Sequence, residues 1–157
     1  MKTDSRAIDQ RQKECERLAP ARSRRLAGWG VKLDANGAIQ WQQIYPRGKM
    51  ASLTGAQLTN DGGYIFSGEV EPSGGGRKSG WLLRVDQIGK VLWQRYYTGD
   101  YNYVGHDLIA HPDGRTDLLI AGKPLKRRRD RPHIYLLTVS PRGKLMNAKA
   151  YVDGMGA

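Results

Sequence analysis

The residues of this 157-residue sequence that could do chemistry fall into three groups. The first is a run of cations, Lys123, Lys126, Arg127, Arg128, Arg129 and Arg131, interrupted by a single acid, Asp130. Such a run attracts phosphate, nucleic acid or acidic headgroups by salt-sensitive Coulomb forces. No aromatic side chain is interleaved in it, which argues against base stacking. The second group is tyrosine: Tyr96, Tyr101 and Tyr103 crowd one short stretch and could form a ligand-facing patch. The third is histidine. His106 and His111 are five apart, which places them on opposite faces of a continuous strand, and no second cysteine joins Cys15, so neither a metal site nor a cofactor is expected. The sequence has no Gly-x-Ser-x-Gly elbow, no Gly-Lys-Ser/Thr phosphate loop and no Asp-x-Asp-x-Asp-Gly calcium loop. A catalytic residue is not indicated, and a non-enzymatic role is expected.

The elements that must position these groups come from a repeat. Trp29, Leu33, Asp34, Gly37, Trp41 and Tyr45 return 52 positions later as Trp81, Val85, Asp86, Gly89, Trp93 and Tyr97. A third copy follows after 54 more: Tyr135, Val139, Ser140, Gly143, Asn147 and Tyr151. The Asp61-Gly62 and Asp113-Gly114 turns keep the 52-residue spacing, whereas Tyr64 and Gly68 match Leu118 and Gly122 at 54. That assigns the two extra residues to the segment between Gly114 and Leu118. Within a unit, short runs of strand formers separated by Gly-containing turns predict two hairpins, hence four antiparallel strands. Four-stranded units recurring every ~40 to 50 residues are read as propeller blades.

The expected architecture is therefore all-β: four-stranded antiparallel blades in units 29–80 and 81–134 with a partial unit 135–157. That makes ten strands, about two and a half blades, an incomplete ring. Residues 1–27 form a basic N-terminal arm, helical or disordered, ahead of this repeat domain. The four tryptophans Trp29, Trp41, Trp81 and Trp93 are expected to pack between blades, and Gly37, Gly89 and Gly143 to form the turns.

At these residues a resemblance becomes specific. The Trp81…Asp86…Gly89…Trp93…Tyr97 pattern, with a segment such as Asn60-Asp61-Gly62-Gly63-Tyr64, resembles the blade repeat of a group of bacterial propeller-like proteins, many exported or surface-attached. Its Asp-x-x-Gly-x-x-x-Trp core is similar to the tryptophan-docking repeat of quinoprotein propellers. The resemblance implies a propeller fold and carries over no catalytic residue. It departs at Asn147, where the other copies have tryptophan.

Charge narrows the partners. The formal net charge is +11, of which residues 1–27 hold +4 and residues 123–133 hold +5. Equivalent loops of successive blades share a rim, so Arg77 and Lys78 should join the cations of 123–131. No stretch approaches the ~18 consecutive apolar residues of a membrane-spanning helix. With no apolar leader at Met1 to Arg6, a cytoplasmic location is expected as the sequence is written, although the resemblance points to export. The expected function is a non-catalytic binding or assembly module that completes its sheets by self-association or with a protein partner and meets an anionic ligand at the basic rim. A piece of a quinoprotein-like or carbohydrate-active propeller enzyme, and a nucleic-acid-binding protein, are the alternatives.

Overall fold

The computed structural model describes residues 26–72, 76–99, 101–124 and 133–152. Nearly all of the expected basic arm, and the cations Lys126, Arg127, Arg128, Arg129 and Arg131, lie outside the described residues. Ten strands follow one another: β1 (Gly28–Leu33), β2 (Ile39–Tyr45), β3 (Met50–Leu58), β4 (Tyr64–Glu71), β5 (Ser79–Val85), β6 (Val91–Tyr97), β7 (Tyr101–Ala110), β8 (Thr116–Pro124), β9 (His133–Val139) and β10 (Leu145–Val152). All neighbours pair antiparallel, and there is no helix among the described residues, so none long and apolar enough to cross a membrane. Strands form because each run alternates an apolar side with a second side, and each turn supplies its own geometry.

Three sheets result: β1-β2, β3-β4-β5-β6 and β7-β8-β9-β10. Strand number and direction match expectation, but the grouping does not follow the sequence units. Each four-stranded sheet takes its first hairpin from the second half of one unit and its second hairpin from the next. The hairpin β5-β6 pairs with β4 rather than with β7, Tyr64 lying opposite Val85. The chain then crosses through Thr98 to β7, which packs against β3, β4 and β5 as the first strand of the next sheet. The two-stranded remainder is thus at the N-terminal end, where β1 and β2 correspond to β5 and β6.

Register also relocates the two extra residues. Leu58 faces Tyr64, which faces Val85; Ala110 faces Thr116, which faces Val139. The turns Thr59–Gly63 and His111–Arg115 close identically, Thr59 N–H donating to Gly63 O and His111 N–H to Arg115 O. The 52-residue spacing therefore holds through β8, and the sheet counterpart of Tyr64 is Thr116 rather than Leu118. The insertion falls in the β8–β9 connection, the loop that carries the cations. Pairwise similarity of side chains drew the alignment to Leu118, and backbone pairing corrects it.

The turns are built as the repeat implies. Gly37, Gly89 and Gly143 all adopt φ near +80°, a conformation that side chains with a Cβ resist. Asp34 Oδ1 accepts from the N–H groups of Asn36 and Ala38, and Asp86 Oδ1 does the same for Ile88 and Lys90.

Two apolar layers hold the sheets together. Tyr45, Ala51, Phe66, Val70, Trp81, Leu83 and Val85 fill the gap between the first and second sheets. Ile65, Leu82, Leu108, Leu118, Ile120, Leu137 and Val139 fill the gap between the second and third. At each gap a tryptophan docks on the next turn: Trp41 Nε1 donates to Gln87 O at 2.9 Å, and Trp93 Nε1 to Pro141 O at 3.0 Å. A Cβ on Gly89 would lie 3.0 Å from the Trp41 ring, and one on Gly143 2.9 Å from the Trp93 ring, so these glycines also make room for the indoles.

Not every tryptophan behaves this way. Trp81 is buried (1% exposed), with Nε1 donating to Gln94 Oε1 within its own sheet at 3.2 Å. Its counterpart Trp29 is 58% exposed, so the expectation of packing between sheets fails there. The reason is geometric: among the described residues no sheet lies against the face of β1-β2 that carries Trp29.

Candidate functional site

The second gap differs from the first in its polar chemistry. In the first, Tyr45 of β2 donates its hydroxyl to Gly89 O at 2.8 Å. The counterparts in the second gap are Tyr97 and Gly143, but there Arg95 Nε donates to Gly143 O at 2.8 Å, while its Nη2 donates to Arg142 O at 3.1 Å. Position 95 is glutamine in the preceding copy, Gln43. Arg95 thereby occupies the acceptor that the repeat assigns to the tyrosine. The Tyr97 hydroxyl is left buried without a hydrogen-bond partner, a state that costs free energy. Burial pushes both phenols up to about 12; Asp86 adds to the rise at Tyr45, and Arg95 opposes it at Tyr97.

Beside Tyr97 the sheets part around a cleft of about 300 Å³, open to solvent, whose walls include Tyr96, Tyr97, Tyr103, Tyr135, Leu137 and Leu145. One exchange between the gaps accounts for the space. In the first gap the Trp81 rings lie where a Cβ on Gly28 would touch both them and Leu53. In the second, Tyr135 replaces Trp81, removing one ring; Gly105 replaces Leu53, but a Cβ there would lie 2.9 Å from Gly68 O, so that exchange lets the backbones meet and releases no space. Tyr103 stands where the first gap has Ala51 and fills part of what is released.

The tyrosines form a connected aromatic wall. Tyr103 meets Tyr135 edge-on with ring centres 5.9 Å apart; Tyr101 lies behind, 6.2 Å from Tyr103 and 5.0 Å from His133. Tyr96 accepts from Arg47 Nε at 2.5 Å and donates to Gln94 Oε1 at 2.7 Å, with the Arg47 guanidinium 5.7 Å from its ring centre. Of the three tyrosines singled out by sequence, Tyr103 enters the cleft and Tyr101 buttresses it, whereas Tyr96 borders it from β6 and turns its ring to the opposite face of the sheet, beside Trp81, Gln94 and Arg47. Sequence reasoning missed Tyr97, Tyr135 and Arg95. The signal was available as departure from the repeat, Tyr135 for Trp81 and Arg95 for Gln43.

Of the cations singled out by sequence, Arg77, Lys78 and Lys123 are described, and Lys78 and Lys123 come to one rim. Lys78 N–H donates to Asn102 Oδ1 at 2.8 Å, and Asn102 pairs with Lys123 across β7-β8, so the β4–β5 loop and the end of β8 emerge together. Lys78 is already paired with Glu69 at 2.7 Å; Arg77 and Lys123 are exposed. His111 Nε2 lies 2.9 Å from Asp117 Oδ2, and Thr138 donates to Asp117 Oδ1 at 2.7 Å. These two hydrogen bonds outweigh the effect of burial and hold the Asp117 carboxyl below the usual range. The hydroxyl here donates to the acid rather than to the imidazole, so the trio is an anchor between strands and not an activated nucleophile. Among the described residues no three His, Cys, Asp or Glu side chains gather as a metal site.

Neither a protein-family model nor any curated protein sequence matches the chain.

Proposed function

We propose that the chain is a non-catalytic binding and assembly module made of propeller-type blades, and that its end faces are covered by blades of further copies. The observation that carries this reading is the contrast between equivalent positions. Trp81 is 1% exposed inside the stack and Trp29 is 58% exposed at its N-terminal end. At the other end, Leu136 is only half-buried where its counterpart Leu82 is fully buried, and Ile134 and Ile109 are 46% and 56% exposed. Among the described residues, a face that is dry between the sheets is bare at both ends. Each end is of the kind that covers the other within the chain, so head-to-tail stacking of copies uses contacts the fold already makes. The two-stranded sheet bears on how blades are completed. Its strands are the counterparts of β5 and β6, and among the described residues no strand pairs with the outer edge of β1.

Light scattering at low and high salt tests the reading. A defined oligomer at both salt concentrations is expected, because the buried surface is apolar, and Trp29→Glu should shift it towards monomer with the β-sheet signal retained. A wild-type chain that stays folded and monomeric up to high concentration would overturn it. The convergence of the Lys78 and Lys123 loops supports a second role, capture of an anionic partner at that rim. Replacing Arg127, Arg128 and Arg129 together by alanine should then abolish binding to a polyanion such as heparin, and wild-type binding should weaken steeply with salt.

A further inference from the structure

We propose that the exposed turn between β1 and β2 is a vacant dock for strand β10 of a second copy, with Asn147, Lys149 and Tyr151 as the docking residues. The proposal rests on the assembly reading and names the contact that joins one copy to the next.

The turns around Gly37, Gly89 and Gly143 share one backbone shape, with φ of 82°, 83° and 79°. Two of them are occupied. Gly89 and Gly143 are buried, and their missing Cβ atoms face Trp41 with Gln43 in one case and Trp93 with Arg95 in the other. Each of these turns also accepts twice from the outer strand of the sheet before it. Gln87 O and Gly89 O take Trp41 Nε1 and Tyr45 Oη, and Pro141 O and Gly143 O take Trp93 Nε1 and Arg95 Nε. The first turn has the same geometry without the load. Gly37 is exposed, and a Cβ there would meet nothing within 4 Å. Among the described residues no side chain donates to Ala35 O or Gly37 O, the two equivalent acceptors.

The matching half lies at the other end of the chain. By the repeat, β10 is the counterpart of β2 and β6, so Asn147 stands for Trp41 and Trp93, Lys149 for Gln43 and Arg95, and Tyr151 for Tyr45 and Tyr97. These three side chains lie across from Thr138, Leu136 and Ile134, on the outer face of the third sheet. All three are exposed, whereas Trp41 and Trp93 are half-buried and Tyr45 is buried. The second sheet stands between β10 and the first turn, so one chain cannot bring the halves together. Charge picks the same pairing. The turn Asp34-Ala35-Asn36-Gly37-Ala38 holds an acid and no cation, whereas Ser140-Pro141-Arg142-Gly143-Lys144 holds two cations and no acid. Lys149 is therefore drawn to the first turn of a copy. Its Nζ lies 5.1 Å from the centre of the Tyr151 ring, so the two arrive together and between them supply the donor for Gly37 O. Asn147 keeps a donor for Ala35 O but brings no indole to cover Gly37, which makes the junction between copies weaker than the gaps inside the chain.

Two half-blocked chains isolate one junction. Trp29→Glu disables the first-sheet end of one chain and Ile134→Glu the third-sheet end of the other, both at exposed positions. Each alone should be monomeric by light scattering, and a 1:1 mixture should form a dimer whose affinity is read by calorimetry. Asn147→Trp in the Trp29→Glu chain restores the docking indole and should tighten that dimer at least about tenfold. Gly37→Ala in the Ile134→Glu chain puts a methyl group on the dock and should cancel most of the gain, while a urea melt of that chain shows only the positive-φ strain. If the dimer forms but Asn147→Trp leaves its affinity unchanged, or if Gly37→Ala leaves the gain intact, the dock is wrong and assembly stands on other contacts. If no combination associates, Asn147→Trp included, both readings are wrong.

Discussion

Removing one oxygen atom from each of two equivalent tyrosines should change stability in opposite directions. Tyr45→Phe deletes a hydroxyl that donates to Gly89 O at 2.8 Å. A hydrogen bond of this kind contributes about 1 kcal/mol net, and the buried carbonyl left behind raises the cost to roughly 1–2 kcal/mol. Tyr97→Phe deletes a hydroxyl that is buried with no partner, so it removes a desolvation penalty and should stabilise the chain by about 1 kcal/mol. Arg95 is the cause of the difference, because it donates to Gly143 O in the place of Tyr97. Arg95→Gln, copying Gln43, should free that carbonyl, and in this background Tyr97→Phe should become destabilising. The coupling between the two substitutions is then about 2 kcal/mol, well above the few tenths seen for independent sites. Urea unfolding followed by tryptophan fluorescence on the four variants of the cycle, with Tyr45→Phe alongside, gives these values directly. If Tyr97→Phe destabilises the wild-type chain as much as Tyr45→Phe does, or if the Arg95–Tyr97 coupling is near zero, the account of acceptor capture by Arg95 is refuted.

The turn glycines should rank by what their missing Cβ would strike. Gly37→Ala meets open space and carries only the positive-φ strain, about 1 kcal/mol, whereas Gly89→Ala and Gly143→Ala add a push on the docked Trp41 and Trp93 and should each lose more than Gly37→Ala in a urea midpoint. Alkali should unfold the chain in a defined window: both Tyr45 and Tyr97 keep their protons until about pH 12 when folded, while an unfolded tyrosine ionises near 10, so stability is flat below pH 10 and falls between 10 and 12, and Tyr45→Phe with Tyr97→Phe should flatten that limb in a pH-resolved melt. Acid acts through Asp61, whose carboxyl is held below the usual range first by the Thr59 hydroxyl and then by the Gly63 N–H and Arg84. Its contribution is present above the unfolded value near 4 and fades as pH drops through the folded one, so Asp61→Asn should shrink the loss of stability measured between pH 4 and pH 2.

Much of the fold was legible because the repeat states it several times. Ten strands, their antiparallel hairpins and the three glycine turns could be read from Asp34, Asp86 and Ser140 with Gly37, Gly89 and Gly143, since turn chemistry is local and survives exposure. Sheet membership was not legible, because pairing of β4 with β5 is a contact between units, and similarity within a unit carries no information about it. The position of the insertion was misassigned for a related reason: Tyr64 and Leu118 are alike as apolar residues, but Thr116 holds the register opposite Val139. At the candidate site, Tyr96 and Tyr103 stood out as residues the repeat did not need. Tyr97 did not, because it matches Tyr45 perfectly in type; only the hydrogen bonds of Arg95 show that the same side chain has lost its partner.

That loss shows how a repeat acquires a site. Copies of one unit share turns and core because each must stack on the next, so a change is tolerated only where a gap has spare volume or spare polar capacity. Gly143 O is such a point: one lone pair set can take a phenol or a guanidinium, and Arg95 makes two further carbonyl contacts, to Arg142 and Gln94, in return for the one it displaces. Exchange of Trp81 for Tyr135 opens the adjoining space. The end faces follow the opposite logic, keeping the apolar residues of the stack although none of the described residues covers them. Trp29 and Leu136 retain the type the repeat gives them, whereas the cleft sets Tyr103 and Tyr135, which depart from it, beside Tyr97 and Leu137, which do not. Retained stacking chemistry at the ends fits the proposed assembly with further copies, whereas the residues exchanged inside the gap are not needed for it.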